Sequence, residues 1–197
     1  MFIQIIQGRC TRQDDLHAVL DRWLRDLSPG AEGWLGGTYG FADDDLFVAV
    51  VRFENRELAM ANSQRPEQAA WAEEMMALFD GPVEFHDCDD VTLLFDGGSD
   101  DAGFVQIIRG KVDDPARLRR LMTSDQTELK RMRPEILGAT LALEPDGTFT
   151  ETVAFTDEAS ARSGEQQEPP EDVRTELEYA MQGATFYDLH DPWFNSR

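Results

Sequence analysis

The run His86-Asp87-Cys88-Asp89-Asp90 gathers an imidazole, a thiol and three carboxylates within five residues. On a strand, alternation puts His86, Cys88 and Asp90 on one face, with donor types that a transition metal takes. A fourth ligand would have to come from elsewhere, and the expectation is no metal and no cofactor. His86 alone suggests another chemistry, since an imidazole is the side chain suited to abstracting a proton from a phenol near neutral pH. An ordinary strand histidine is the competing account. Trp23, Trp34, Trp71 and Trp193 could form an aromatic cage, but Trp23 and Trp71 lie on helical stripes that core packing explains. The glycines of Gly36-Gly37-Thr38-Tyr39-Gly40 make no phosphate loop, because no helix follows them. Acidic clusters at Asp43 to Asp45, Asp87 to Asp90 and Asp96 to Asp101 fall at expected turns or strand ends, and none has EF-hand spacing. Two cysteines, Cys10 and Cys88, are too few for a disulfide framework, and reduced thiols are expected.

The elements that would hold these groups are written twice. Phe2 to Gly8 reads FIQIIQG and Phe104 to Gly110 reads FVQIIRG, with five of seven positions identical at an offset of 104 − 2 = 102. The offset persists from Leu35-Gly36-Gly37-Thr38 to Leu137-Gly138-Ala139-Thr140, and from Phe53 to Phe155. A period this long exceeds solenoid repeats of roughly 20 to 50 residues and suits a duplicated small domain. The expected units are residues 1–95 and 104–197, joined by a Gly- and Asp-rich linker at 96–103.

Within each unit an apolar run bounded by glycine reads as a strand. A helix follows, with Leu16, Val19, Leu20, Trp23, Leu24 and Leu27 in one stripe. Two strands come next, around Asp43-Asp44-Asp45 or Glu144-Pro145-Asp146-Gly147. A second helical region repeats its stripe, Trp71, Met75, Leu78 and Phe79 returning as Val173, Leu177, Ala180 and Met181. Val83 to Phe95 and Ala184 to Asp191 supply a fourth strand. Each unit is therefore a β-α-β-β-α-β, ferredoxin-like arrangement. The strands are apolar on both faces, so the expected α+β fold packs the two sheets face to face as a pseudo-twofold version of a dimeric α/β barrel.

The chain has 197 residues, is 41% hydrophobic and carries a formal charge of −21, so it should fold, stay soluble and repel phosphate backbones and acidic lipid. Its 16 Arg and 2 Lys form no basic stripe. No apolar run approaches the roughly 20 residues of a membrane span, and the N-terminus lacks a signal-peptide pattern. A cytoplasmic protein without nucleic-acid or membrane partners is expected.

With Gly33 to Glu54, GWLGGTYGFADDDLFVAVVRFE, set in this pattern, the chain resembles the antibiotic-biosynthesis-monooxygenase family over both halves. That resemblance implies a cavity between sheet and helices, and cofactor-independent oxidation of a small aromatic or polyketide-like compound. Tyr39 matches the second-strand tyrosine of the quinone-forming members, with Leu141 in the second copy. Their third-strand asparagine falls at Ala49 and Glu151, their strand-closing tryptophan at Phe53 and Phe155, and a helix tyrosine at Ala59 and Ala161. A first-strand asparagine of haem-degrading members falls at Gln7 and Arg109. The resemblance thus directs Gln7, Tyr39, Phe53, Arg109 and Phe155 toward substrate and Glu151 into the second cavity as a catalytic candidate, while His86, from its own chemistry, is the catalytic candidate of the first. Arg109 and Glu151 could pair as a polar floor to the second cavity or as a purely structural ion pair. The alternative to an enzyme is a non-catalytic binding or scaffold protein with eroded sites. Because the sheets would already be covered, a monomer acting as its own pseudo-dimer is expected.

Overall fold

The β1 strand (Phe2–Arg9) is buried at Phe2, Ile3 and Ile5, as a Gly-bounded apolar run should be. It leads into α1 (Gln13–Asp26), whose stripe Leu16, Val19, Leu20 and Trp23 is buried, with Asp14 and Asp15 in the first turn and Arg25 in the last, charges placed favourably for the helix dipole. The computed structural model describes residues 1–124, 126–167 and 171–197, the side chains of 171–173 excepted. Val173, expected on a helical stripe, therefore lies outside the described side chains.

The hairpin of β2 (Trp34–Ala42) and β3 (Leu46–Phe53) turns through Asp44 and Asp45, both at positive φ. The second helical region is two helices, α2 (Arg56–Ser63) and α3 (Pro66–Met76). Asn55 caps α2 by accepting from the Leu58 N–H at 2.9 Å. Pro66 then lacks the N–H that would continue a helix and pushes Arg65 into extended backbone, which starts α3 afresh. Strands β4 (Glu84–Cys88) and β5 (Asp90–Leu94) follow.

The second half repeats this order with β6 (Phe104–Lys111), α4 (Pro115–Thr123), α5 (Gln126–Met132), β7 (Ile136–Leu143), β8 (Thr148–Phe155), α6 (Glu158–Glu165), α7 (Glu171–Met181) and β9 (Thr185–Ser196). Asp114 caps α4 by accepting from the Arg117 N–H at 2.9 Å. Gly147, at φ +86°, closes the β7–β8 turn, where a Cβ would also sit 2.3 Å from the Val112 carbonyl oxygen. Strands β2 and β7 each begin with a bulge, at Trp34/Gly36 and Ile136/Gly138.

The chain divides into one unit of residues 1–89 and 193–197 and another of residues 90–192. In the first, β4-β1-β3-β2 lie side by side and the last residues of β9 follow β2, with Arg197 N–H donating to Leu35 O at 3.2 Å. In the second, the earlier part of β9 precedes β6-β8-β7-β5. The run 83–95, read as a single fourth strand, is thus two: β4 pairs with β1, while β5 pairs with β7. Both units are α+β and antiparallel with the ferredoxin-like strand order. Their cores lie between sheet and helices, around Phe47, Leu16 and Met75 in the first and Phe149, Leu118 and Leu141 in the second. Among the described residues no helix is long and apolar enough to cross a membrane.

Candidate functional site

Strand alternation decides which side chains of the second unit can meet. Along β8, Glu151, Val153 and Phe155 point to one face, where Glu151 lies opposite Ile108 of β6. With Gln106, Ala139, Met122, Leu177 and Met181 they line a cavity of about 560 Å³ between the sheet and its helices, within the roughly 300 to 1,000 Å³ of ligand sites. Most of its wall is apolar. Glu151 is 7% exposed, and no hydrogen bond or ion pair engages it among the described residues. Burial alone pushes its carboxyl up to about 7, because desolvation disfavours the charged form.

A polar cluster stands beside it. Gln106 donates to Asp188 Oδ1 at 2.9 Å and to Glu165 Oε1 at 3.3 Å. Arg162 of α6 pairs with Asp188, with Glu165 at 3.0 Å and with Glu158 at 3.2 Å, and its guanidinium lies 5.2 Å over the Phe104 ring. The first unit builds the same device: Gln4 donates to Asp87 at 2.9 Å, and Arg56 pairs with Asp87 at 3.0 Å and covers Phe2 at 4.8 Å. Its arginine comes from the start of α2, about a turn earlier than Arg162 in α6.

The first unit's cavity is different. It holds only about 70 Å³ among Tyr39, Phe53, Trp23, Trp71, Leu20 and Met75. Ala49 occupies the place where Glu151 stands. Trp71 donates to Val19 O at 2.9 Å and Trp23 to Gln68 Oε1 at 2.6 Å, so the two rings are fixed as filling. Trp193 stacks on Tyr39 with centroids 5.9 Å apart, and burial pushes the Tyr39 hydroxyl far above its ordinary pKa.

Glu151 and Phe155 thus share the larger cavity, and Tyr39 and Phe53 the smaller. Gln7, Arg109 and His86 line neither. The expected Arg109–Glu151 pairing is corrected by register. Arg109 faces Thr150, one residue from Glu151 and on the other face of the sheet, where it donates to Thr150 Oγ1 and Glu144 Oε1, each at 2.8 Å. Gln7 donates to Glu84 at 2.8 Å. His86 lies opposite Ile5, on the face away from Gln4 and Ile6, with Nε2 3.5 Å from Glu84. Cys88 shares that face, but Asp90 departs with β5 and pairs with Arg119. Among the described residues no group of three or more His, Cys, Asp and Glu is placed to hold a metal ion.

Comparing the two copies for differences passes over Gln106 and Asp188, because both copies keep them. The available signal is a glutamine at the third position of both strands, Gln4 and Gln106, set within the otherwise apolar runs Phe2 to Ile6 and Phe104 to Ile108. Arg133, Arg162 and Glu165 also line the large cavity, and nothing in their spacing announces it.

No family model matches the chain, and no curated protein does. Solved structures do. A candidate monooxygenase from Fusobacterium nucleatum is similar over 100% of this chain and 94% of its own, with TM-score 0.77 and 10% identity. One from Lactobacillus acidophilus is similar over 95% and 92%, with TM-score 0.73 and 12% identity. An anthrone oxidase-like protein is similar over 99% and 92%, with TM-score 0.68 and 8% identity. At such identities the likeness is one of fold.

Proposed function

From the fold of the antibiotic-biosynthesis-monooxygenase type of structure, we propose that the second unit's cavity oxidises a small aromatic or polyketide-like compound with O2 and without a cofactor, with Glu151 as the base. The observation that carries this reading is a lone, buried carboxyl facing a ligand-sized apolar cavity. A carboxyl held at about 7 is a stronger base than an exposed glutamate and still has a substantial ionised fraction near neutral pH. Glu151 takes a proton from an activated methylene of the substrate. The carbanion passes its electrons to O2 and forms a C–O bond; the peroxide recovers the proton from Glu151 and loses water. In balance, one methylene and one dioxygen become one ketone carbonyl and one water. The protein contributes burial, orientation and charge placement. His86, which lines neither cavity, has no part in it.

The test is O2 uptake with anthrone as substrate, followed by quinone absorbance. Glu151→Gln should lower kcat by roughly 10² to 10⁴, the usual worth of a positioned base. A non-catalytic binding protein is the second reading, favoured by the first unit, whose cavity holds only about 70 Å³. It predicts a thermal shift with aromatic ligands and no O2 uptake. In either case we infer a monomer, for which light scattering should return the mass of a single 22.3 kDa chain.

A further inference from the structure

Taking a proton from a neutral compound leaves a negative charge on that compound, and in an apolar cavity such a charge must be met. Two arginines line the cavity. Arg162 is committed to Glu158, Glu165 and Asp188. Arg133, between α5 and β7, is held differently. Its Nε donates to Glu135 Oε1, and among the described residues nothing engages Nη1 or Nη2.

The hold is a built one. Glu135 is 9% exposed, and its backbone carbonyl accepts from the Thr156 N–H at 2.9 Å, just past the end of β8. Gly164 of α6 lies against the pair, where a Cβ would come within 2.1 Å of Glu135 Oε1 and 2.4 Å of Arg133 Nε. The glycine is the seat on which the ion pair rests. At the same offset of 102 the first half has Ala31, Gly33 and Asn62, so pair and seat occur only in the half with the large cavity. The inner edge of the guanidinium is fixed and its outer edge is left to whatever enters.

We propose that Arg133 is the oxyanion-binding, specificity-determining residue of this cavity, and that its substrates are neutral carbonyl or hydroxyaryl compounds presenting an acidic proton to Glu151 and an oxygen to Arg133; this rests on Glu151 acting as the base. The proton passes from the ligand's C–H or O–H to the Glu151 carboxylate. The electron pair it leaves settles on the ligand oxygen as an enolate or phenolate. The cavity's net charge is unchanged, since one negative charge moves from Glu151 to an oxygen beside a guanidinium. A ligand entering already as a carboxylate would add a second negative charge beside Glu151 and is disfavoured.

The probe is 4-nitrophenol, whose anion has its own visible absorbance, with 4-nitroanisole as the analogue lacking the proton. Below the phenol's solution pKa, the wild type should bind 4-nitrophenol with the spectrum of the anion. The double variant Arg133→Met with Glu135→Met leaves no lone carboxylate in the seat. It should lose less affinity for 4-nitroanisole than for 4-nitrophenol, which it should bind roughly tenfold more weakly and in its neutral form. Arg133→Lys should restore part of the anion signal, as it keeps the charge without the planar fork. An anion signal undiminished in the double variant, or a neutral spectrum in the wild type, overturns the assignment of Arg133. If Glu151→Gln keeps the anion signal that the double variant loses, Arg133 stands and the base assignment falls. If neither probe binds the wild type, the cavity reading falls and takes this proposal with it.

Discussion

The Glu151 carboxyl is raised from 4.5 to about 7 with desolvation as the cause, and this carries a signed consequence for stability. Between those values the native state holds a proton that the unfolded chain has released, so unfolding free energy falls as pH rises through that window. Below about pH 4.5 the group is neutral in both states and costs nothing; above about pH 7 the full penalty is present, on the order of 3 kcal/mol. Glu151→Gln removes it. Urea melts should show the variant and wild type nearly equal at pH 4 and the variant more stable by about that amount at pH 8, all other titrations cancelling in the difference. A gap that does not change with pH would mean that water reaches the carboxyl. The position itself is legible in the sequence, because Ala49 and Glu151 differ in polarity at matched places. The facing of Arg109 is not. Ile107 and Ile108 are both buried, so the strand is apolar on each side and its alternation does not reveal which face meets the helices. Only the pairing of Ile108 with Glu151 settles it.

At the scale of the element, α6 fixes the pocket wall through a residue with no side chain. Gly164→Ala puts a methyl where Glu135 Oε1 and Arg133 Nε already stand, and overpacking of this kind costs about 1–3 kcal/mol. A loss of that size in a denaturant melt is expected, together with weakened 4-nitrophenol binding as Arg133 is displaced. Ser163→Ala, the neighbouring change, should alter neither. Helix stripes and caps are readable from the residues: Leu16, Val19, Leu20 and Trp23 are all buried, and Asp114 caps α4. The division of the second helical region into α2 and α3 is less so. Pro66 stands in plain view, but the apolar stripe beginning at Trp71 does not say where its helix starts.

Across the whole chain, each unit is completed by residues that the sequence pattern assigns to the other half. The glycines at 97 and 98 look like a linker by composition, yet β5, just before them, pairs with β7, and the chain's last five residues belong with the first unit. Composition reads local backbone freedom; it carries no information about a partner strand some 50 residues away, so strand order within a unit is legible and this exchange of strand ends is not. Trp193 packs in the first core against His17 at 4.5 Å and Tyr39 at 5.9 Å, and Arg197 donates from its N–H to Leu35 O. Trp193→Ala should therefore destabilise the protein by on the order of 3 kcal/mol. Separating the halves tests the same point more severely. Residues 1–95 alone lack the strand beside β2, and residues 104–197 alone lack β5, so each leaves exposed strand edge and uncovered core. Neither fragment should give a cooperative thermal transition by circular dichroism, whereas the intact chain should. A cooperative transition in the 1–95 fragment would mean that β4-β1-β3-β2 with α1 to α3 is sufficient, and that the returning C-terminal strand is an ornament on a domain already complete.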